Sequence, residues 1–319
     1  MNNENEDFIC DTCRKIDFQD LLRNPRQVDA YDDEGERSPY IMRYTEDCAV
    51  CELLFHDKST VDNDMELRSY SYLKNTFWAD EKVPGARDSV ELKLGVAVWG
   101  VFQTPTYESV FCTLSGDDSQ GLYRAQPLGE SWDSLKARSW LHTCVQSHHS
   151  ACSRESFTIP DMNLIDCENM VIVAASEHSP WFALSYVWGA NYQAPATIED
   201  TGFRAGSRLP ANMPGTIRDA MSVTKELGYR YLWVDEYCID QKDKTHRKAQ
   251  INKMDQIYRG ADLTIVAAAG EDKGYGLPGV GVTKRQVGKT VCIGDVVIYS
   301  NGPEPDSETQ ESKWFTRAW

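Results

Sequence analysis

The sequence predicts an α/β fold whose C-terminal half holds a parallel β-sheet flanked by helices. Three short apolar runs bounded by polar residues, at 181–189, 231–234 and 262–268, have the length and composition of buried strands. A helical pattern separates each run from the next, and this alternation is typical of a parallel sheet covered by helices. The first 155 residues instead predict a mixed α+β domain.

Composition limits the classes of protein that fit. The chain has 319 residues, a formal net charge of −16 and 41% hydrophobic residues. This length favours two domains of roughly 100–200 residues each, which we place at residues 1–155 and 156–319. The acidic charge argues against binding to nucleic acid or to an anionic membrane surface. No apolar run approaches the ~20 residues of a membrane span.

The N-terminus is acidic and polar, unlike a secretory signal, which predicts a cytoplasmic and reducing location. Ten cysteines then indicate metal ligands, buried thiols or reactive groups rather than disulfides. Two Cys-x-x-Cys pairs, Cys10 with Cys13 and Cys48 with Cys51, can give four thiolates to one structural zinc ion. The 34 residues between the pairs exceed the usual spacing of about 15–20. Small apolar residues on helices are therefore the alternative.

The N-terminal domain also predicts strands and a helix. Residues 66–75 alternate weakly, and residues 91–113 alternate and then become apolar, which predicts antiparallel strands. Residues 131–152 have apolar positions at helical spacing, and we expect this helix to close the domain. Its end carries a second set of side chains whose spacing suits a metal: Cys144, His148, His149 and Cys152. The alternative is that the cysteine packs in the core and the histidines lie at the helix C-terminus.

Each remaining element of the C-terminal half has its own signal. Residues 171–174 are a short, mostly β-branched run typical of a strand. Residues 213–227 carry an apolar stripe at helical spacing, with a proline in the first turn and a glycine after the end. Residues 244–258 predict a second helix, and residues 291–299 predict a late strand or hairpin.

The predicted strand at residues 231–234 is followed, within six positions, by Asp235, Glu236 and Asp240. In parallel α/β sheets, ligands bind beyond the carboxyl ends of the strands, where these carboxylates lie. Burying an ionised carboxylate is costly, so such a group is paired with a partner, reached by solvent or part of a functional site. A strand that leaves the sheet into a polar loop, with one aspartate as a cap, is the alternative. Cys238 is a candidate nucleophile only if a base lies near it in space.

Aromatic and small residues end the neighbouring predicted strand. Ser185, Tyr186 and Trp188 bring a hydroxyl, a phenol and an indole, and Gly189 lets the backbone approach a ligand closely. Such rings usually belong to the core, but they can also stack on a base or on nicotinamide. Residues 190–210 then predict a loop long enough to be a functional flap.

Three segments together resemble the fungal heterokaryon incompatibility (HET) domain. They are residues 184–189 (LSYVWG), 231–241 (YLWVDEYCIDQ) and 314–319 (WFTRAW), in the order of the family. The resemblance spans about residues 180–319. In the family the last motif normally continues into a Gln-Glu pair and a further helix. We therefore expect a short form or a truncated domain, which would lack that glutamate if it is catalytic.

The resemblance implies a function in fungal non-self recognition, with growth arrest and cell death as the outcome. HET domains have been compared to TIR domains, which have a flavodoxin-like α/β fold and include enzymes that cleave NAD. It therefore implies a TIR-like sheet and a glycohydrolase that releases nicotinamide from its substrate NAD. The three carboxylates are the catalytic candidates, although the family does not hold the position of Glu236 to a carboxylate. The candidates for binding NAD are Ser185, Tyr186, Trp188, Gly189 and Trp233.

The alternative is a non-enzymatic signalling module that forms a homo-oligomer or binds a regulatory protein partner. The same aromatic residues would then form core and interface, and Asp235 would cap a loop. A pocket at the ends of strands 184–189 and 231–235, lined by carboxylates and aromatic rings, would favour the enzyme. A flat surface there would favour the module.

Overall fold

A computed structural model of the protein gives the conformation of most of the chain. The residues that it describes are 8–23, 40–55, 65–71, 89–96, 108–114, 128–147, 159–177, 179–189, 203–300 and 305–316. None of the helices in these ranges is both long enough and apolar enough to cross a lipid bilayer. The predicted flap lies partly outside them, at residues 190–202, and so do His148, His149, Cys152 and residues 317–319.

The helices and strands of the described residues alternate along the chain. The helices are α1 Asp11–Arg14, α2 Phe18–Arg23, α3 Ala49–Leu54, α4 Ser134–Ser147, α5 Gly215–Glu226, α6 Asp235–Cys238, α7 Lys244–Ile251, α8 Met254–Arg259 and α9 Pro305–Glu311. The strands are β1 Ile41–Met42, β2 Met65–Ser71, β3 Ser89–Val96, β4 Glu108–Leu114, β5 Asn163–Asp166, β6 Val171–Ala174, β7 Trp181–Ser185, β8 Tyr231–Trp233, β9 Leu263–Val266, β10 Thr290–Ile293 and β11 Val296–Ser300.

The chain forms two compact units. Unit 1 comprises Met1–Leu128 and Val287–Pro303, and unit 2 comprises Gly129–Gln286 and Glu304–Trp319. These limits differ from the predicted division at residue 155, because α4 belongs to unit 2 and the late hairpin belongs to unit 1.

Unit 1 contains an antiparallel sheet in the order β1-β2-β3-β4-β11-β10. The strands predicted within residues 66–75 and 91–113 are confirmed as β2, β3 and β4, and the late hairpin is confirmed as β10 and β11. Strand β11 pairs with β4 from Val296 opposite Leu114 to Ser300 opposite Val110. The last hairpin therefore completes a sheet that begins far earlier in the sequence.

Unit 2 contains a mixed sheet in the order β6-β5-β8-β7-β9. Strands β8, β7 and β9 are parallel, whereas β5 runs antiparallel to both β6 and β8. All five residues of β7 are buried, which agrees with the apolar run that predicted the strand. Helix α5 packs against this sheet through Ile217, Ala220 and Met221, at the spacing of one helix face. An α/β unit with a mixed sheet and flanking helices is the result.

The second predicted helix is two helices in the structure. Asp243 caps the start of α7, where its carboxylate accepts hydrogen bonds from the N–H groups of Thr245 and His246. The N–H of Lys253 bonds to the carbonyl of Gln250 in a tight turn, which ends α7 before α8 begins. The apolar period continues across this turn, so the pattern alone does not reveal the break.

Helix α4 begins at Ser134 rather than at residue 131 and exposes part of its apolar stripe, and the predicted residues 148–152 lie outside the described ranges. Asp133 accepts a hydrogen bond from the N–H of Lys136, which fixes the start of the helix. Leu135 and Val145 are 75% and 64% exposed, and Trp140 is 43% exposed. The stripe that predicted the helix therefore does not predict which side chains are buried.

Candidate functional site

The parallel direction of β7, β8 and β9 brings their carboxyl ends to one edge of the sheet of unit 2. Tyr186 and Trp188 follow β7, and Asp235 and Glu236 follow β8. Lys273 comes from the loop after β9. Hydrogen bonds of the side chains, with one from the backbone N–H of Glu236 to Asp235, connect these five residues, which we call the strand-end cluster.

Asp235 is the first residue of α6 and is 8% exposed. The indole N–H of Trp188 lies 3.1 Å from both carboxylate oxygens of Asp235. The backbone N–H of Glu236 donates to one of these oxygens at 2.8 Å, and the amide of Gln241 donates to the Asp235 carbonyl at 2.9 Å. The carboxylate is therefore held in one orientation by the segment that follows β7.

The carboxylate of Glu236 contacts both Lys273 and Tyr186. Its Oε1 atom lies 2.6 Å from the Nζ atom of Lys273, and its Oε2 atom accepts a hydrogen bond of 3.1 Å from the phenol of Tyr186. The side chain of Lys273 is 6% exposed and that of Glu236 is 18% exposed. The Nζ atom of Lys273 also lies 5.8 Å from the centre of the Trp188 ring, within the range of a cation–π contact.

Tyr186 stays protonated in this environment. Burial, together with the negative charges of Asp235 and Glu236, raises its pKa well above the ordinary value, because each disfavours a phenolate. The phenol is 1% exposed and donates a hydrogen bond to Glu236. It acts here as a fixed hydrogen-bond donor.

Gly189 ends the segment after β7 with a φ of +82°, in the left-handed region that favours glycine. A Cβ atom at this position would overlap the Cβ of Asp272, the residue before Lys273. The glycine therefore lets the segment after β7 pack closely on the loop that carries the lysine. Its predicted approach to a bound ligand stays a prediction.

Asp240 has a different set of partners. It accepts hydrogen bonds from Nε of Arg204 at 3.1 Å and from the N–H groups of Lys242 and Asp243 at 3.0 and 3.3 Å. Burial acts to raise the pKa of Asp240, but these hydrogen bonds lower it overall. The contacts tie Asp240 to the turn before α7, and the structure does not bring it into the strand-end cluster.

Ser185 and Trp233, two predicted NAD contacts, are buried. Trp233 is 0% exposed and packs edge-on against Tyr258, with 5.4 Å between ring centres. Ser185 is 3% exposed and accepts a hydrogen bond of 2.8 Å from the indole of Trp314. The first and third motifs are therefore in contact, and Trp233 belongs to the core.

A cavity of about 370 Å³ lies at the carboxyl end of β9, next to β7 in the sheet. This volume is within the range of small-molecule sites. Its lining residues are 266–269, 276–278, 308 and 309. The cavity thus lies at the predicted edge of the sheet, but beside β9 rather than between the ends of β7 and β8.

Sequence reasoning missed Lys273. Its neighbours in the sequence are glycine, tyrosine and acidic residues, so nothing marks it as buried. Its position after a predicted strand was the one available signal. Cys238, by contrast, is buried, and burial raises the pKa of its thiol to about 12, which makes it a poor nucleophile.

The four cysteines of the two Cys-x-x-Cys pairs come together in unit 1. Their Sγ atoms all lie within 4.8 Å of one another, and all four residues are buried. Cys13 and Cys51 approach to 3.6 Å, and a hydrogen bond between these side chains lowers the pKa of Cys51 to about 6. None of the nine cysteines in the described ranges forms a disulfide.

Residues 181–319 match the model of the family described as Heterokaryon incompatibility protein (HET). This segment contains the whole strand-end cluster and is similar to that family. A stretch of 140 residues, 44% of the chain, is 29% identical to the Vegetative incompatibility protein HET-E-1 of Podospora anserina. The match spans 9% of that much longer protein. No solved structure matches the chain.

Proposed function

We propose that this chain acts in fungal heterokaryon incompatibility, as an effector that hydrolyses NAD to nicotinamide and ADP-ribose. The observation that carries the proposal is the strand-end cluster, in which two carboxylates meet aromatic side chains and a buried lysine. The role in incompatibility is drawn from the HET match and from the similarity to a vegetative incompatibility protein.

The order of the parallel strands supports a TIR-like fold. Numbered along the chain, the first, second and third parallel strands are β7, β8 and β9, and they lie in the order second, first, third. Flavodoxin-like sheets begin with the same order, and they bind ligands at the crevice between the first and third strands. In this chain that crevice lies beyond the ends of β7 and β9, and the cavity borders only its β9 side, through residues 266–269.

The reaction needs a carboxylate near a developing positive charge. Hydrolysis breaks the bond between C1 of the ribose and the nicotinamide nitrogen, and the bonding electrons leave with neutral nicotinamide. The ribosyl group becomes cationic in the transition state, as in glycosidases, and a carboxylate stabilises it. Water then bonds to C1 and releases one proton.

We assign Asp235 to the stabilisation of the ribosyl cation and Trp188 to stacking on nicotinamide. Trp188 is 38% exposed, so one part of its indole remains available while its N–H orients Asp235. Glu236 accepts from Tyr186 and pairs with Lys273, which suits it to hold the shape of the cluster.

The test is nicotinamide release from NAD by the purified, concentrated chain, followed by chromatography. We expect release by the unaltered protein and a loss of at least about 100-fold in Asp235→Asn, because the key charge is removed while the shape is kept. Asp255→Asn removes the same charge from an exposed position on α8 and serves as the matched control. A folded, concentrated protein that releases no nicotinamide would refute the proposed NAD hydrolase activity.

A second candidate function, a non-enzymatic module, is favoured by the exposed apolar side chains near the same edge. Trp188, Val266, Tyr275 and Phe315 are 38%, 44%, 46% and 56% exposed. We infer that these four side chains together form a protein-binding surface. For this function we expect self-association in sedimentation velocity that Val266→Asp weakens and Asp235→Asn leaves unchanged.

A further inference from the structure

We propose that Cys10, Cys13, Cys48 and Cys51 bind one structural zinc ion, on which the fold of unit 1 depends. The proposal is independent of the NAD reaction, because the four cysteines lie in unit 1 and the strand-end cluster lies in unit 2.

The spacing of the sulfur atoms is that of a tetrahedral ligand set. Four sulfurs at about 2.3 Å from a central zinc lie about 3.8 Å from one another. In this protein the Sγ atom of Cys51 lies 3.6 Å from that of Cys13 and 3.9 Å from that of Cys10. Sulfurs joined in a disulfide are about 2.05 Å apart. The observed distances therefore fit ligands around one ion, not a covalent pair.

The two Cys-x-x-Cys pairs have the same local structure. Cys10 and Cys48 each stand just before a helix, with extended backbone at ψ of 163° and 117°. Cys13 and Cys51 each lie three residues further, inside α1 and α3. In each pair, one cysteine has an extended backbone and the other is helical, which brings their two thiols together. The two pairs then meet in the core of unit 1.

A backbone donor supports the sulfur cluster. The N–H of Cys10 donates to the Sγ atom of Cys48 at 3.3 Å, which links the first pair to the second. Such N–H donors to the ligand atoms orient metal ligands and offset part of the charge of four thiolates around a divalent ion.

The site is closed, which indicates a structural ion. Cys10 is 6% exposed and the other three cysteines are 0% exposed. Four protein ligands complete a tetrahedron and leave no position for water or substrate, unlike a catalytic zinc site with three protein ligands. A tetrahedral set of four sulfurs selects zinc or iron, and we assign zinc.

The ion would join two distant parts of unit 1. The cysteines pack with Ile16, Met42 and Phe55 in one buried cluster, which includes residues of α1, β1 and α3. The two pairs are 34 residues apart in sequence. Because the unfolded chain has no preformed site, the free energy of binding zinc contributes to folding.

The first test measures metals in the unaltered full-length protein, purified without added metal. We expect one zinc per chain by mass spectrometry of the elements, and release of that zinc when a mercurial reagent modifies the thiols. Cobalt(II) exchanged for zinc should give the intense sulfur-to-metal absorption and visible bands of a tetrahedral thiolate site. These measurements need no variant, so they decide the question even if substituted proteins fail to fold.

The second test uses matched cysteine variants. Cys51→Ser should reduce zinc content at least tenfold, whereas Cys292→Ser, which alters an exposed thiol of β10 in the same unit, should keep one zinc per chain. Iron in the purified protein, four thiols that react freely in the native state with no bound metal, or full zinc content in Cys51→Ser would each overturn the proposal.

Discussion

Lys273 carries its positive charge where only 5% of the residue meets solvent. Removing an ammonium group from water is costly, and the cost is offset only by close and well-oriented partners. The partners here are the carboxylate of Glu236 and the indole face of Trp188. In the proposed site the charge of Lys273 also holds Glu236 in an ion pair. The carboxylates of Glu236 and Asp235 therefore have different partners.

Replacing Lys273 by Met should lower the free energy of unfolding by about 3 kcal/mol, because it leaves the Glu236 carboxylate without its cation. Adding Glu236→Gln should restore part of this loss, and urea denaturation of the four proteins would measure the coupling.

Lys289→Met is the matched control, because its ion pair with Glu52 lies on the surface, where Lys289 is 70% exposed. We expect a change below about 1 kcal/mol for this variant. An equal loss in the free energy of unfolding for the two variants would contradict the claim that burial makes the Lys273 ion pair more important than the surface pair.

Asp166, at the end of β5, is buried and forms an ion pair with the partly exposed Arg230. Its Oδ2 atom lies 2.6 Å from Nη2 of Arg230, and Oδ1 accepts from the N–H groups of Glu168 and Asn169. Burial acts to raise the pKa of Asp166, but these donors outweigh it and lower the pKa to about 2.

The folded-state pKa of Asp166 lies below its ordinary value of 3.8, so the ionised form is favoured in the folded protein. Its contribution to stability is complete above about pH 4 and is lost as the pH falls toward 2. Asp166→Asn should therefore cost about 1–3 kcal/mol at pH 7. Urea denaturation from pH 7 to pH 2.5 should show the two proteins converging in acid, and a constant difference would contradict this account.

The sequence indicates which side chains lie together where they follow adjacent strands, whereas their catalytic and NAD-binding roles stay predictions. Asp235, Glu236, Tyr186 and Trp188 follow adjacent strands and do meet. Asp240 was grouped with them because of its closeness in sequence, but α6 intervenes and directs it toward Arg204. Periodicity and spacing do not specify the direction of the chain after a strand, so such errors concentrate in loops.

At the scale of elements, the segment after β7 must pass close to the loop after β9. Gly189→Ala adds a methyl group that overlaps Asp272, in addition to the cost of φ at +82°. We expect it to lower stability by about 1–3 kcal/mol more than the backbone cost alone, and to displace Lys273. Thermal or urea unfolding would measure the loss.

Gly228→Ala is the control for that experiment. Gly228 follows α5 with a φ of +86°, and nothing lies within 4 Å of an added Cβ. It carries the same conformational cost, about 1–2 kcal/mol, without the overlap. Similar losses in the two variants would show that the packing at Gly189 is unimportant.

The sequence predicted the elements of the parallel sheet more accurately than their neighbours. Strands β7 and β8 are apolar runs whose residues are almost all buried, and such runs are visible without a structure. The run of β9 is visible in the same way, although its residues are only partly buried. The antiparallel direction of β5 is set by pairing with β6 and β8, which no local pattern encodes. A local pattern likewise predicts the hairpin of β10 and β11. Its place in unit 1 depends on the pairing of β11 with β4, which is distant in sequence.

At the scale of the whole molecule, the two units have separate cores. One buried cluster contains the cysteines with Leu67, Val110 and Ile298, and the other contains β7, β8 and α5. The proposed zinc ion lies in the core of unit 1, so its removal should affect the two cores unequally.

Removing zinc with a chelator should increase amide hydrogen exchange in β4 and β11 by at least tenfold. The amides of β7, β8 and β9 should change by less than twofold, since their contacts lie within unit 2. Mass spectrometry of peptides from the full-length protein would measure both. Equal acceleration in both sheets would contradict the separation of the cores.

The pairing of β4 with β11 has a consequence for synthesis on the ribosome. About 180 residues separate the two strands, and nearly all of unit 2 lies between them. At about 5–20 residues per second, the edge of β4 waits roughly 10–40 s for its partner. An unpaired strand edge can join the edge of another nascent chain. Expression of this protein should therefore depend on chaperones that shield such edges, and slower translation should lengthen the period of risk.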